Sequence, residues 1–246
     1  MNTFYHIGQY FMLMARVFQR PKKIKLYRKQ IIYEINSLGL GSFGIISIIS
    51  VFIGAVITLQ TASNIDSALI PAYTVGFTAR QSMILEFSPT IIALILAGKV
   101  GSNITSEIGL MRVTEQIDAL EIMGVNSASY LIVPKIIAAV FINPFLVIWS
   151  MFIGIIGGYL VAQFSGVVST DEYIYGIQYA FKPFSIVYAM IKTVFFAYII
   201  TSIPAYYGYY VKGGAIAVGS ASTKGVVSSS IVILIVNYVI TQLLLI

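Results

Sequence analysis

Two ionisable residues, Glu86 and Lys192, lie inside stretches of the sequence that are otherwise apolar. Gln81–Gly98 contains no charged residue besides Glu86, and Pro183–Val211 contains none besides Lys192. A charge in such a stretch is costly unless it faces a partner or a polar cavity, so these residues are the first candidates for a functional site. A carboxyl and an ammonium group suit either of two chemistries, proton transfer or the binding of a charged headgroup.

The two charges are expected at similar depths. Glu86 lies six residues after Arg80, and Lys192 lies ten residues after Lys182. At about 1.5 Å per helical residue, these separations correspond to roughly 9 and 15 Å. We expect the two side chains to come within reach of each other, with Lys192 attracting a phosphate, Glu86 holding it and Gln60 adding a hydrogen bond. The alternative is that Lys192 extends outward along the apolar surface and that Glu86 is protonated.

The elements that position these residues follow from the composition. Of 246 residues, 58% are hydrophobic and 10% are charged, with a mean hydropathy of +0.90. Soluble domains are about 45–50% apolar and about 25% charged, so we expect an all-α polytopic membrane protein. A spanning helix needs about 20 mainly apolar residues. The charge-poor stretches predict five spans near residues 40–62, 79–98, 132–163, 184–207 and 225–245.

An aromatic and apolar segment at the N-terminus precedes a basic cluster. Apolar residues recur at helical spacing, which predicts a helix over residues 3–18 that lies in the membrane interface. The basic residues follow this segment instead of preceding it, which is not typical of a cleavable signal. The alternative is a disordered basic tail. The cluster comprises Arg16, Arg20, Lys22, Lys23, Lys25, Arg28 and Lys29.

The distribution of basic residues predicts the orientation. Twelve of the 15 lysines and arginines lie before the first span or in connections on the same side of the membrane as the N-terminus. Cytoplasmic connections carry an excess of these residues. We therefore expect the N-terminus in the cytoplasm and, after five spans, the C-terminus on the opposite side.

The longest cytoplasmic connection contains an amphipathic pattern. Apolar and acidic side chains recur at helical spacing on two faces, which predicts a helix over Thr114–Met123 followed by Gly124 as its C′ residue. A solvated charged face is one interpretation. A partner-docking helix is favoured because the chain otherwise barely leaves the membrane. The apolar face comprises Val113, Ile117 and Leu120, and the acidic face comprises Glu115, Asp118 and Glu121.

Several classes of chemistry are excluded by what the sequence lacks. There is no cysteine and only one histidine, His6, so thiolate chemistry, a disulfide framework and a Cys-based metal site are excluded. The sequence contains no G-x-S-x-G and no G-x-x-x-x-G-K-[ST] phosphate loop. We therefore expect a protein that is not an enzyme and that has no ATP-binding motif of its own.

Several motifs in order carry a resemblance to one family. Gly98–Val125 reads GKVGSNITSEIGLMRVTEQIDALEIMGV. This resembles the signature of the MlaE/YrbE family of ABC permeases, which runs G-R-x-G, A-E-I-G-x-M and T-E-Q-[IL]-x-[AS]-[LM]. Further segments resemble the family, so the likeness covers nearly the whole chain past the N-terminal helix. They are Val51–Gln60, Leu85–Gly98, Leu131–Ala138 and Tyr206–Thr241.

This sequence departs from the family pattern at five positions. Lys99 and Lys135 stand where the family usually has Arg, which keeps the charge but loses planar bidentate bonding. Leu85 and Ser88 replace the Arg and Gly of R-E-L-G-P, and Asn237 replaces an Asp of the last span. Because Leu85 stands in place of an Arg, the candidate headgroup site has one cationic contact fewer than the family pattern. This favours a lipid different from the one that the family pattern would bind.

The resemblance implies a homodimer that binds two cytoplasmic ATPase subunits and pairs with an MCE-domain lipid-binding protein. Such permeases move phospholipids or other lipids between the inner and outer membranes of diderm bacteria. It implies an inner-membrane location with a periplasmic C-terminus, and no nucleic acid, cofactor or metal. We expect a single permease domain over residues 1–246, with an interfacial segment at 1–34, a transmembrane core at 35–246 and a coupling helix at about 105–124.

The same resemblance assigns two groups of site residues. Glu86 matches the Glu of R-E-L-G-P, and Lys192 matches a basic residue at the start of the family's fourth span. The lipid-binding candidates are Glu86, Lys192, Gln60 and Leu85. The candidates for coupling to the ATPase are Glu107, Thr114, Glu115, Gln116, Ile117, Asp118 and Leu120.

Two other classes of function are considered. A proton-coupled secondary transporter would use Glu86 and Lys192, and internal inverted repeats would favour it. The sequence has no visible self-similarity of that kind. A structural membrane scaffold would not need two charges within its spans.

Overall fold

Helices joined by short connections make up the computed structural model, which describes residues 3–19, 24–65 and 70–245. No strand occurs within these three ranges. The helices are α1 (Thr3–Val17), α2 (Ile24–Ser63), α3 (Thr74–Ser82), α4 (Ile92–Leu96), α5 (Ser102–Val113), α6 (Gln116–Ile122), α7 (Ser127–Ser165), α8 (Thr170–Gln178), α9 (Phe184–Tyr209) and α10 (Ala215–Leu245), with π-helical segments at Met83–Ile91 and Ala97–Gly101.

In the part of the chain that the structure describes, five helical runs are long and apolar enough to cross a membrane, which confirms the all-α polytopic prediction and its number of spans. Each run is longer than its predicted span because helical hydrogen bonding continues beyond the apolar stretch, in some runs into charged turns. The first run, for example, includes Glu34. They are Tyr27–Ser63, Thr74–Val113, Ser127–Ser165, Phe184–Tyr209 and Ala215–Leu245.

The second run is irregular in a way that the sequence analysis did not predict. Thr74–Val113 alternates between α-helical and π-helical geometry, and Pro89 lies inside the first π-helical segment. Proline has no backbone N–H and cannot complete the regular i→i−4 ladder. π-Helical turns are rare and occur often at functional sites. Glu86 lies in this first segment, Met83–Ile91.

The predicted helix Thr114–Met123 is shorter than expected. Glu115 adopts a left-handed conformation with a φ of 60°, so the chain turns there and α6 begins at Gln116. The predicted end of the helix is confirmed, because Gly124 has a φ of 72°. Its N–H donates to the Glu121 carbonyl at 2.9 Å, and the Val125 N–H donates to the Leu120 carbonyl at 3.0 Å. These two bonds form a Schellman motif.

The chain divides into two compact units. Unit one comprises the described residues within Met1–Leu40, Ala93–Asn143 and Val194–Ile246. Unit two comprises those within Gly41–Ile92 and Pro144–Thr193.

Unit two is built around a close approach of α2 and α7. A Cβ atom at Gly54 or Gly157 would collide with the backbone of the facing helix, at Gly154 and Val51 respectively. Small residues permit such contact between membrane helices. Buried apolar side chains from α2, α3, the first π-helical segment, α7 and α8 complete this core, among them Ile57, Val75, Met83 and Tyr173.

Unit one packs α1 against α9. The Tyr10 hydroxyl lies 2.8 Å from the Ser202 hydroxyl, and burial raises the pKa of Tyr10. Leu13 and Val17 are fully buried, whereas Phe4 is 87% exposed. The helix is therefore amphipathic as predicted. Of the predicted basic cluster, Arg20, Lys22 and Lys23 lie outside the described residues, and so does the side chain of Lys25.

Candidate functional site

Glu86 and Lys192 form an ion pair in unit two. Lys192 Nζ lies 2.6 Å from Glu86 Oε1 and donates to the Leu85 carbonyl at 3.3 Å. The ammonium group also lies 4.4 Å from the centre of the Tyr188 ring, a cation–π geometry. The Thr90 hydroxyl donates to Glu86 Oε2 at 3.2 Å. The first π-helical segment and α9 thus bring together the two charges that the sequence singled out.

The two partners differ in their exposure. The Lys192 side chain is 0% exposed, whereas the Glu86 side chain is 41% exposed. Lys192 therefore does not extend outward, and that alternative is wrong. The expected division of roles also changes, because an enclosed ammonium group does not reach a lipid phosphate in this conformation. The accessible polar group of the pair is the Glu86 carboxylate.

The other two lipid-binding candidates, Leu85 and Gln60, are not members of the ion pair. Leu85 contributes its backbone carbonyl to Lys192, and its side chain is half-buried. Gln60 is exposed one turn before the end of α2. Within the described ranges, no hydrogen bond joins the Gln60 side chain to Glu86 or Lys192.

A chain of buried hydroxyl groups was not foreseen. Ser150 Oγ lies 2.8 Å from Ser50 Oγ and 3.2 Å from Ser88 Oγ, and all three serines are at most 1% exposed. Ser88 replaces the Gly of the family pattern, and its hydroxyl accepts a hydrogen bond from Ser150 on α7. A serine in an apolar stretch gives no periodic signal, so only the departure from the family motif pointed to this position.

Arg80 has a structural role that the sequence analysis missed. It lies at the start of the second predicted span and is 2% exposed within α3. Its Nη1 donates to the carbonyls of Ile177 and Tyr179, at 2.6 and 2.9 Å. The guanidinium group also contacts the rings of Phe77 and Phe181. Arg80 therefore fixes α3 to α8 within unit two.

Unit one contains a second charged cluster, centred on Lys135. Its Nζ lies 2.6 Å from both Glu34 Oε1 and Glu107 Oε2. The Lys135 and Glu34 side chains are 4% and 7% exposed, whereas Glu107 is 54% exposed. Glu34 was missed because it precedes the first apolar stretch. Within the described ranges, no group of three or more His, Cys, Asp or Glu residues is placed to hold a metal ion.

The coupling candidates are divided between the surface and the interior. Thr114, Glu115 and Gln116 are exposed, and Leu120 is half-buried. Ile117 is 0% exposed, so it packs inside unit one and is not an anchor for a partner, contrary to our expectation. Its burial follows from the turn at Glu115, which redirects the short helix α6.

The acidic groups of α6 bond to neighbouring side chains, and its exposed apolar groups lie elsewhere than predicted. Asp118 accepts a hydrogen bond from Arg112 Nη1 at 2.6 Å. Glu121 accepts hydrogen bonds from the Ser127 and Tyr209 hydroxyls at 2.9 and 3.0 Å. The exposed apolar residues lie instead at the end of the helix, where Ile122 is 88% and Met123 is 68% exposed.

Comparisons with known proteins agree with this architecture. Residues 31–243 match the family described as Permease MlaE. A probable ABC transporter permease protein from Rickettsia bellii is 38% identical over 218 residues, which cover 89% of this chain and 84% of the relative. One from Synechocystis is 31% identical over 234 residues, covering 95% of this chain and 89% of the relative. The chloroplastic protein Trigalactosyldiacylglycerol 1 from Arabidopsis thaliana is 30% identical over 230 residues, which cover 94% of this chain and 65% of the relative.

Proposed function

Because the chain belongs to the MlaE permease family, we propose that it moves phospholipids or related lipids between the inner and outer membranes, driven by ATP hydrolysis in a separate subunit. The chain itself is a multi-pass membrane permease of the ABC type, not an enzyme. One relative carries the name of a glycerolipid, trigalactosyldiacylglycerol. That name supports a lipid as the transported molecule.

The observation that carries the proposal is the unequal exposure of the Glu86–Lys192 pair. A transported lipid presents a small polar headgroup on a large apolar body, and the π-helical segment offers one accessible carboxylate edge among apolar residues. Glu86 accepts hydrogen bonds from the headgroup, and the buried Lys192 orients the carboxylate through the ion pair. Lys192 is thus a positioning residue, and Glu86 is the group that contacts the lipid.

The partners of this chain follow from its membership of the MlaE permease family. The permease is a homodimer in the bacterial inner membrane, with two ATPase subunits on the cytoplasmic side and an MCE-domain protein on the periplasmic side. The N-terminus is cytoplasmic and the C-terminus is periplasmic. The connection that carries α6 is the docking surface for the ATPase, and the exposed side chains of Ile122 and Met123 are the apolar anchors. The exposed coupling candidates Glu107, Thr114, Glu115 and Gln116 provide polar groups for the same partner.

Lipid co-purification and transport by three variants test the proposal. Glu86→Gln and Lys192→Met each break the ion pair, and the double variant removes both charges without leaving either one unpaired. We expect the double variant to fold and insert but to retain less lipid and to transport it slowly. Wild-type lipid loading and transport in the double variant would overturn the role of the pair. Transport that continues without ATP and follows a pH gradient would favour the proton-coupled alternative.

A further inference from the structure

A cavity of about 410 Å³ in unit one is lined by basic and hydroxyl-bearing residues. They come from α1, the end of α9, the connection after it and the first turns of α10. The residues that could contact a ligand are His6, Tyr207, Lys212, Ser220 and Lys224. Among the described residues that line the cavity, none is acidic.

The sequence places these groups together through helical periodicity. Ala217, Ser220, Ala221 and Lys224 recur at i, i+3, i+4 and i+7, so they share one face of α10. The connection after α9 is short and returns the chain to this face, which brings Lys212 to the same cavity. Lys212 and Lys224 are both exposed. Their ammonium groups therefore remain accessible to an incoming anion.

Hydrogen bonds hold the aromatic walls in place. The Tyr206 hydroxyl donates to Gln9 Oε1 at 3.0 Å and lies 2.7 Å from His6 Nδ1. The His6 Nδ1–H therefore donates to Tyr206, which fixes the ring of His6 at the cavity. The Tyr207 hydroxyl lies 2.9 Å from the Ser228 hydroxyl. The cavity is thus built before any ligand arrives.

The surroundings of the cavity are apolar. Val211, Ala217 and Ala221 form part of the cavity wall. Ile216 lies next to the lining residue Ala217 and is 94% exposed. Exposed apolar groups beside a basic cavity match an amphiphile with an anionic head. A free phosphate ion would use the same donors but would leave these apolar side chains uncovered.

We propose that this cavity binds the phosphate group of an anionic phospholipid of the surrounding bilayer, as a site separate from the transport site at Glu86. Lys212 and Lys224 contribute the charge, the Tyr207 and Ser220 hydroxyls donate hydrogen bonds, and Ile216 contacts the acyl chains. Basic pockets between membrane helices are known to suit anionic headgroups. In the orientation favoured by the basic residues, the lipid belongs to the cytoplasmic leaflet.

The test compares the binding of phosphatidylglycerol, phosphatidylcholine and inorganic phosphate to the full-length protein in detergent, by native mass spectrometry. The variant is Lys212→Gln/Lys224→Gln. The matched control is Arg28→Gln/Lys29→Gln, which removes two exposed charges from the same unit outside the cavity. A lysine near an anionic surface contributes about fivefold in affinity, so we expect the variant that lacks two lysines to bind phosphatidylglycerol about 25-fold more weakly. The control should lose much less.

A second variant keeps the charges and fills the space. Ser220→Phe should weaken phosphatidylglycerol binding while Lys212 and Lys224 remain in place. Equal phosphatidylglycerol affinity in the wild type and the cavity variant would overturn the proposal, and so would equal losses in the cavity and control variants. Inorganic phosphate that binds as tightly as phosphatidylglycerol would also overturn it, because the site would then take the free anion.

Discussion

Each compact unit contains a buried lysine, and the two lysines are neutralised in different ways. In unit two, Glu86 is both the ion-pair partner of Lys192 and the exposed polar group of the site. In unit one, Lys135 has two carboxylate partners, of which Glu34 is buried and Glu107 is half-exposed. In unit two, the residue that neutralises the buried lysine is also the exposed one. In unit one, the buried carboxylate and the exposed carboxylate belong to two different residues.

This difference indicates which positions can change without loss of the fold. A buried charge that loses its only ionic partner is strongly destabilising, whereas a second carboxylate can compensate when the first is lost. The accessible carboxylate of unit two is therefore coupled to stability, and that of unit one is not. A ligand that competes for Glu86 must offset the charge that it leaves on Lys192.

The largest effect is expected from Glu86→Gln, because it leaves the fully buried Lys192 without its carboxylate. We expect a loss of about 3–5 kcal/mol in the free energy of unfolding, measured by thermal unfolding of the purified protein. Adding Lys192→Met should restore most of the stability. The control Glu172→Gln removes an exposed acid in α8 and should cost no more than about 1 kcal/mol. A stable single variant would contradict the assignment of Glu86 as the neutralising group.

The next largest effect is expected at an exposed apolar residue of unit one, and a buried apolar residue of the same helix serves as the comparison. Ile122→Asp should release the ATPase subunit while leaving the permease inserted, because truncation of an interface anchor commonly costs more than about 2 kcal/mol. The measurement is the amount of ATPase that co-purifies with the permease. Ile117→Asp is the comparison, since a charge at this buried position should lower stability first. Stoichiometric ATPase on Ile122→Asp would show that the docking surface lies elsewhere.

Lys192→Met should cost less than Glu86→Gln. The remaining Glu86 carboxylate is 41% exposed and still accepts a hydrogen bond from Thr90, so it is not stranded in an apolar interior. We expect a loss of about 1–2 kcal/mol by thermal unfolding. If Lys192→Met proved as damaging as Glu86→Gln, the unequal exposure of the pair would not govern its energetics.

The smallest effect is expected from Glu107→Gln in unit one. Glu34 remains 2.6 Å from Lys135 Nζ, so the buried charge stays neutralised. The half-exposed Glu107 should contribute less than about 1 kcal/mol, as exposed ion pairs generally do. A loss that matched Glu86→Gln would remove the distinction between the two units. Unfolding curves of both variants under identical conditions provide this comparison.

The sequence was informative wherever periodicity or composition carried the signal. Apolar stretches located all five spans, and the Gly124 end of α6 was found from its residue type. Contacts between distant residues gave no such signal, which is why Glu34 and the burial of Arg80 were missed. The turn at Glu115 was also missed, because a left-handed conformation at a glutamate depends on packing and not on intrinsic preference. The prediction of Ile117 as an anchor failed for the same reason.

The π-helical segment Met83–Ile91 has a consequence for how the chain tolerates deletion. A π turn holds one residue more than an α turn. A single residue can therefore be removed there while the side chains of the helix on either side keep their orientation. The same deletion within the regular part of α9 would rotate every later side chain by about 100°. The segment that carries Glu86 is therefore a place where the length of the second span can change by one residue while its packing faces are preserved.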